Sequence, residues 1–189
     1  MEALLLSTLT VALAEIGDKT QLLALVLAAR YRKPWPIVFG ILAATLVNHA
    51  LSAWIGAWLS GVLPPEVLRW GVVISFLAVA AWALVPDKLD EDEQPADKGA
   101  GGVFLATLVA FFLVEIGDKT QVATVVLAAR WSPLWQVVAG TTLGMLLANV
   151  PVVLLGARFA HRLPLRAARW AAAALFAGLA VWVAVAGLS

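Results

Sequence analysis

The heptapeptide Glu15-Ile16-Gly17-Asp18-Lys19-Thr20-Gln21 recurs unchanged as Glu115-Ile116-Gly117-Asp118-Lys119-Thr120-Gln121, one hundred residues later and again inside apolar sequence. Across 15–30 and 115–130, twelve of sixteen aligned positions are identical, and the two stretches close on Leu27–Arg30 and Leu127–Arg130. Only 13% of the 189 residues are charged and 62% are hydrophobic. Soluble domains carry roughly 25% charge, so this chain reads as a membrane protein. A charge within a membrane span costs about 2.5–3.5 kcal/mol on the insertion scale, and such residues mark an ion or substrate path by default. Two carboxylates and a lysine, duplicated as a block, therefore locate the chemistry. A net charge of +1 makes no case for a nucleic-acid partner, and the absence of cysteine excludes disulfides and thiolate metal sites.

A spanning helix needs about 20 mostly apolar residues. Six segments qualify, at 3–29, 35–60, 66–85, 103–129, 134–158 and 167–188. Arg30 to Pro34, Pro64-Pro65, Ser132-Pro133 and Arg162 to Pro164 punctuate them, and the first and fourth hold the charged motif near mid-length. Ala12-Leu13-Ala14 resembles a cleavage site, but the residues before it carry Glu2 and no Lys or Arg. They read as the start of a membrane helix instead.

The offset of one hundred extends well past the motif. Gly40 matches Gly140, Gly56 matches Gly156, Pro64 matches Pro164, Arg69-Trp70 matches Arg169-Trp170, Phe76 matches Phe176, and Trp82 matches Trp182. The expected fold is an all-α membrane protein of six transmembrane helices, built as two inverted three-helix repeats at 1–86 and 103–189. Three spans per repeat is an odd number, so the second copy enters from the opposite side. Inverted repeats place binding sites near the midplane, where the halves meet. Residues 87–102 between them are acidic and contain Pro and Gly. They read as a flexible, solvated tether rather than a cation-gathering pore mouth.

Loop charge predicts orientation. Arg30, Arg32, Lys33, Lys88, Lys98, Arg158, Arg162, Arg166 and Arg169 follow the first, third and fifth spans, and the other side holds only Arg69 and Arg130. By the positive-inside rule both termini lie outside and the acidic linker is cytoplasmic. Trp35, Trp58, Trp70, Trp82, Trp131, Trp135, Trp170 and Trp182 sit near segment ends and read as an interfacial belt.

Residues three or four apart share a helix face, which sets Glu15 beside Asp18 and Lys19, and Glu115 beside Asp118 and Lys119. Gly17 and Gly117 permit a break or a close helix approach, and a break would free carbonyls for coordination. Thr20, Gln21, Thr120 and Gln121 add neutral oxygens. Mirrored halves would gather Glu15, Asp18, Glu115 and Asp118 as metal ligands. With Lys19 and Lys119 the formal balance is −2, which suits one divalent cation. Carboxylate, amide, hydroxyl and carbonyl oxygens fit hard ions such as Ca²⁺, Mg²⁺ or Mn²⁺. Zinc and copper are disfavoured, because only His49 and His161 offer imidazole. Crowded carboxylates favour proton binding in an empty site, so Glu15 and Glu115 are the expected proton carriers. Asn48, Asn149 and His49 are supporting candidates, with His49 more readily a hydrogen-bonded packing residue than a ligand. The bland alternative makes each Glu–Lys pair, four apart, an internal helix-fastening salt bridge; duplication of the whole motif argues against it.

A duplicated Glu-x-Gly-Asp-Lys-Thr in a six-helix, two-repeat membrane protein closely resembles the Gdt-type cation/proton exchangers, a family of bacterial manganese exporters and eukaryotic Golgi manganese/calcium transporters. The resemblance covers essentially the whole chain, with no departure inside either motif. It implies export of Mn²⁺, with Ca²⁺ as a further cargo, from the cytoplasm in exchange for protons, and no permanent cofactor. The family's functional acids fall on Glu15, Asp18, Glu115 and Asp118, and its lysine and threonine positions on Lys19, Thr20, Lys119 and Thr120. The short linker and lack of a targeting extension suit a prokaryotic member in the inner membrane. Oligomeric state is left open. An exporter of small organic solutes is the runner-up reading. An intramembrane aspartyl protease shares a Gly-Asp motif, yet needs only two aspartates sharing a proton and leaves the glutamates and lysines without a task. The chain is not expected to be an enzyme.

Overall fold

A computed structural model describes residues 1–85, 102–156 and 165–187. Among them it contains eight helices and no strand: α1 (Glu2–Glu15), α2 (Lys19–Tyr31), α3 (Pro34–Val62), α4 (Pro65–Ala83), α5 (Val103–Glu115), α6 (Lys119–Arg130), α7 (Leu134–Leu155) and α8 (Leu165–Ala186). Residues 87–101 of the tether, the basic positions Lys88, Lys98, Arg158 and Arg162, and His161 lie outside the described residues. So do the far ends of the last two expected spans.

Four helices are long and apolar enough to cross a membrane: α3, α4, α7 and most of α8. The two charged segments are each interrupted, as the motif glycines allowed. Each is a pair of short helices, of 14 and 13 residues in the first copy and 13 and 12 in the second. The break falls at the same place in both. After Glu15 the chain turns extended at Ile16, passes through Gly17 at φ +84°, and re-enters a helix behind Asp18. After Glu115 it repeats this through Ile116 and Gly117 at φ +77°. Only glycine adopts positive φ at little steric cost, so the motif's own glycine sets where the helix stops. The aspartate that follows is an N-cap, the position where a short side-chain oxygen satisfies a free helix amide.

Packing interleaves the halves. α1 lies against α7 and α5 against α3, the same contact made by equivalent helices; α3 also meets α7, and α4 meets α8. Glycines make the closest crossings possible. A Cβ on Gly40 would sit 2.7 Å from Thr107 Cβ, and one on Gly140 would sit 2.8 Å from Ser7 Cβ. A Cβ on Gly56 would collide with the Val125 carbonyl oxygen of α6.

Hydrogen bonds at helix ends show their directions. The amino terminus of α1 donates to Gln136 Oε1 at the start of α7, 2.9 Å away, so these helices run side by side from one end. The guanidinium of Arg69, near the start of α4, donates to the carbonyl of Ala184 at the end of α8. Those two helices are therefore antiparallel. Phe76 and Phe176, equivalent by the repeat, meet each other with ring centroids 6.0 Å apart.

Two apolar clusters flank the motif region. One is built by Leu68, Val72, Phe76 and Val79 with Phe176, Leu179 and Val183; the other by Leu23, Leu27, Ile37, Ile41, Phe111, Met145 and Val152. Trp35, Trp58, Trp70, Trp135 and Trp170 are exposed, as an interfacial belt requires. Trp131 is not: it is buried between Phe76 and Trp182, with Arg130 over its ring. Its place just after α6 puts it in the bundle rather than on its rim.

Candidate functional site

Glu15, Asp18, Glu115 and Asp118 are all buried. Glu15, Glu115 and Asp118 each offer an oxygen within 4.8 Å of the others. Three carboxylates so close among apolar helices need positive charge between them, as a metal ion or as protons, because isolated buried charge is strongly unfavourable.

The local architecture of the motif delivers them. Each glutamate is the last residue of its first helix, and each aspartate caps the next. The Asp18 carboxylate accepts from the Lys19 amide, and Asp118 Oδ2 accepts from the Thr120 amide at 3.4 Å. Gln21 and Gln121 brace the turn: their Oε1 atoms accept from the amides of Gly17 and Gly117 at 2.9 and 2.7 Å. Gln21 also donates to the Ala148 carbonyl on α7 at 3.1 Å, tying the first turn to the other half. The threonines hold the glutamates: Thr20 donates to Glu15 Oε2, and Thr120 donates to Glu115 Oε2 at 3.2 Å. In both glutamates Oε1 has no protein hydrogen-bond partner. The buried acids thus keep one oxygen apiece for another ligand.

The lysines correct the helix-face reading. Lys19 and Lys119 both form ion pairs other than the local ones with the glutamates four residues before them. Lys19 Nζ lies 3.7 Å from Asp118 Oδ1, and Lys119 Nζ lies 2.9 Å from Asp18 Oδ2. Each crosses to the aspartate of the opposite copy. The break at Ile16-Gly17 removes the i to i+4 geometry on which the local pairing rested, so each lysine opens a new helix with a new heading. The two bridges are unequal. Asp18 is engaged by a nearly buried Lys119 and stands outside the three-carboxylate group, whereas Asp118 is held more loosely by a partly exposed Lys19 and joins that group.

Asn149 and His49, equivalent across the repeat, occupy equivalent places. Asn149 Nδ2 is 3.4 Å from Glu15 Oε2, and His49 Nε2 is 4.0 Å from Glu115 Oε2. His49 is fully buried and neither ring nitrogen has a protein hydrogen-bond partner, so it is not the hydrogen-bonded packing residue expected. Asn48 instead links helices, donating to the Phe112 carbonyl of α5 at 3.2 Å. Sequence reasoning passed over Ser7 and Thr10, whose hydroxyls, with those of Thr45 and Thr142, are buried without a protein partner. Their spacing of three along α1 was the available signal, hidden by the dominance of the charged motif.

Oxygen-rich, acidic and sealed among membrane-length helices, this arrangement has the chemistry of a divalent-cation site in a membrane transporter. The chain belongs to the GDT1 family of divalent cation/proton antiporters: the family profile described as "Divalent cation/proton antiporter GDT1" matches residues 3–91 and 103–189. The chain is 55% identical over 177 residues to a Vibrio cholerae protein named "Putative manganese exporter", covering 93% of this chain and 87% of that one. It is 27% identical to a GDT1-like protein of Synechocystis, covering 80% of this chain and 81% of the relative. It is 25% identical to GDT1-like protein 3 of Arabidopsis thaliana, covering 95% of this chain and 69% of the relative. No solved structure matches the chain.

Proposed function

We propose that this protein exports Mn²⁺ from the cytoplasm across a bacterial inner membrane, with protons moving the other way. Six spans would do this, arranged as two inverted halves at 1–86 and 103–189, with the charged segments as two broken spans. Three observations support that arrangement. α1 and α7 begin together, α4 and α8 run in opposite directions, and α3 and α5 are close at Gly40 and Thr107 near both their starts. Mirrored three-span halves require all three.

The observation that carries the cargo reading is the three-carboxylate group with unpartnered Glu15 and Glu115 oxygens. Glu15, Glu115 and Asp118 bind the ion directly. Asp18 completes the acid set and, paired with Lys119, fastens the two halves across the site. Thr20 and Thr120 orient the glutamates, and Gln21 and Gln121 hold the helix breaks open. Protons occupy the glutamates when the metal is absent; an arriving ion displaces them, and its departure on the far side lets them return. Relative rocking of the halves would expose the site to each face in turn. An all-oxygen acid set of this kind accepts Ca²⁺ as well, so Ca²⁺ is a second cargo to be tested.

The test is flux in proteoliposomes under an imposed pH gradient, comparing Mn²⁺, Ca²⁺ and Mg²⁺. Wild type is expected to carry Mn²⁺ and to dissipate the gradient as it does so. Glu115→Gln, folded by circular dichroism and gel filtration, is expected to fall to background. Flux that neither needs nor dissipates the gradient would overturn exchange. Competition by an organic cation but not by Mn²⁺ would favour a solute exporter.

A further inference from the structure

Each motif glutamate is held by the threonine five residues on, but the side chain that faces it from the long helix of the opposite half differs. Glu15 faces the amide of Asn149, and Glu115 faces the imidazole of His49, its counterpart across the repeat. If the position called only for a hydrogen-bond donor beside a glutamate, an amide would serve twice. Asn149 serves in that way, donating to Glu15 and also to the Met145 carbonyl at 3.1 Å. His49 does not. It is fully buried on α3, and neither Nδ1 nor Nε2 has a protein hydrogen-bond partner. Buried polar side chains are hydrogen-bonded in the great majority of cases, and an exception calls for an explanation such as an ion.

Its distance to Glu115 suits that explanation. Two donors each about 2.1–2.2 Å from one ion stand about 3 Å apart when adjacent and about 4.3 Å apart when opposite. The 4.0 Å between His49 Nε2 and Glu115 Oε2 lies inside that interval. Direct pairing is too long for a good hydrogen bond, yet an ion between the two atoms could bind both; the imidazole stands at the edge of the three-carboxylate group, not within it.

We infer that His49 is a ligand of the transported ion beside Glu115, adding one nitrogen at the edge of the carboxylate group, and that this nitrogen selects first-row transition ions over Ca²⁺ and Mg²⁺. The inference rests on the metal-carrying reading above and sharpens it. Ca²⁺ and Mg²⁺ take oxygen ligands, whereas imidazole adds binding energy for the transition series. A site of carboxylates alone accepts Ca²⁺ and Mn²⁺ alike; the same site with one imidazole does not. The asymmetry between His49 and Asn149 thus gives a nearly symmetric site its selectivity.

Pulsed electron paramagnetic resonance of Mn²⁺ bound to the purified protein reads this directly, because a coordinated imidazole nitrogen modulates the electron-spin echo. His161, the other histidine of the chain, is replaced by Asn as a control. Nitrogen modulation is expected in wild type and in His161→Asn. It should change to the ¹⁵N pattern when the protein is grown on ¹⁵N-histidine, and be lost in His49→Asn. The Mn²⁺ dissociation constant of His49→Asn should rise by about tenfold or more, with that for Ca²⁺ changed less than about twofold. Mn²⁺ bound to wild type without nitrogen modulation overturns the assignment and leaves the carrier reading standing. Mn²⁺ that fails to bind wild type at all overturns both. Should His49→Asn not fold, the ¹⁵N-histidine spectra of wild type and His161→Asn decide alone.

Discussion

Lys119 and Asp18 form an ion pair 2.9 Å long, with the lysine side chain 4% exposed and the aspartate fully buried. A buried pair of this kind contributes little against an apolar substitute, but removing one partner strands the other charge and typically costs about 3–5 kcal/mol. Lys119→Met should therefore lower thermal stability in detergent sharply, and adding Asp18→Asn should recover most of the loss. Equal melting temperatures for Lys119→Met and wild type would show that this bridge does not hold the halves together. Lys19 is partly exposed and 3.7 Å from Asp118, so Lys19→Met should cost much less, the ion pair being screened by solvent. The same residues show where local reading stops. The acids and lysines were legible as chemistry from their duplication, but their pairing was not. A helix-face argument joins Glu15 to Lys19, and the glycine break sends Lys19 to the other copy.

Among the elements, the four short helices are the part that function has altered. Neither α1 nor α2 alone could span a bilayer, and neither could α5 or α6. The break that shortens them gathers two glutamates and an aspartate at helix ends and leaves Oε1 of both glutamates without a protein hydrogen-bond partner. Glycines do two separate tasks in this scheme, and substitution should separate them. Gly117 has positive φ and open space where a Cβ would go. Gly117→Ala should cost only the backbone strain of that conformation, about 1–2 kcal/mol, while loosening the register of Glu115 and depressing transport. Gly56 sits in a helix against the Val125 carbonyl. Gly56→Leu should force α3 from α6 and cost substantially more stability, as overpacking does. Melting temperatures and flux measured together check both, and the idea fails if Gly56→Leu proves the milder change.

At the scale of the whole molecule, orientation is the testable property. The chain has no cysteine, so single introduced cysteines report sidedness without background. Lys33, between α2 and α3, and Gly61, near the end of α3, are both exposed. With both termini outside, Gly61→Cys should react with a membrane-impermeant maleimide in intact cells, and Lys33→Cys only after permeabilisation. The reverse pattern would overturn the placement of both termini outside. The interleaved packing, α1 on α7 and α5 on α3, also means that each half of the sequence covers the first charged helix of the other. Separately expressed halves should not bind Mn²⁺ until combined.

Residue order alone determined the helical class, the two-fold internal repeat, the location of the acids and the glycine that could interrupt each charged segment. These follow from hydropathy, identity at a fixed offset and the conformational freedom of one residue type, all of which are local or readable along a line. The tertiary structure decided that the lysines cross over, that Asp18 pairs with Lys119 while Glu15, Glu115 and Asp118 form the tight group, and that His49 and Asn149 reach the two glutamates. Those outcomes depend on which helices meet, at what depth and heading. Such crossings are set by packing between residues a hundred positions apart, and no periodicity within one segment encodes them.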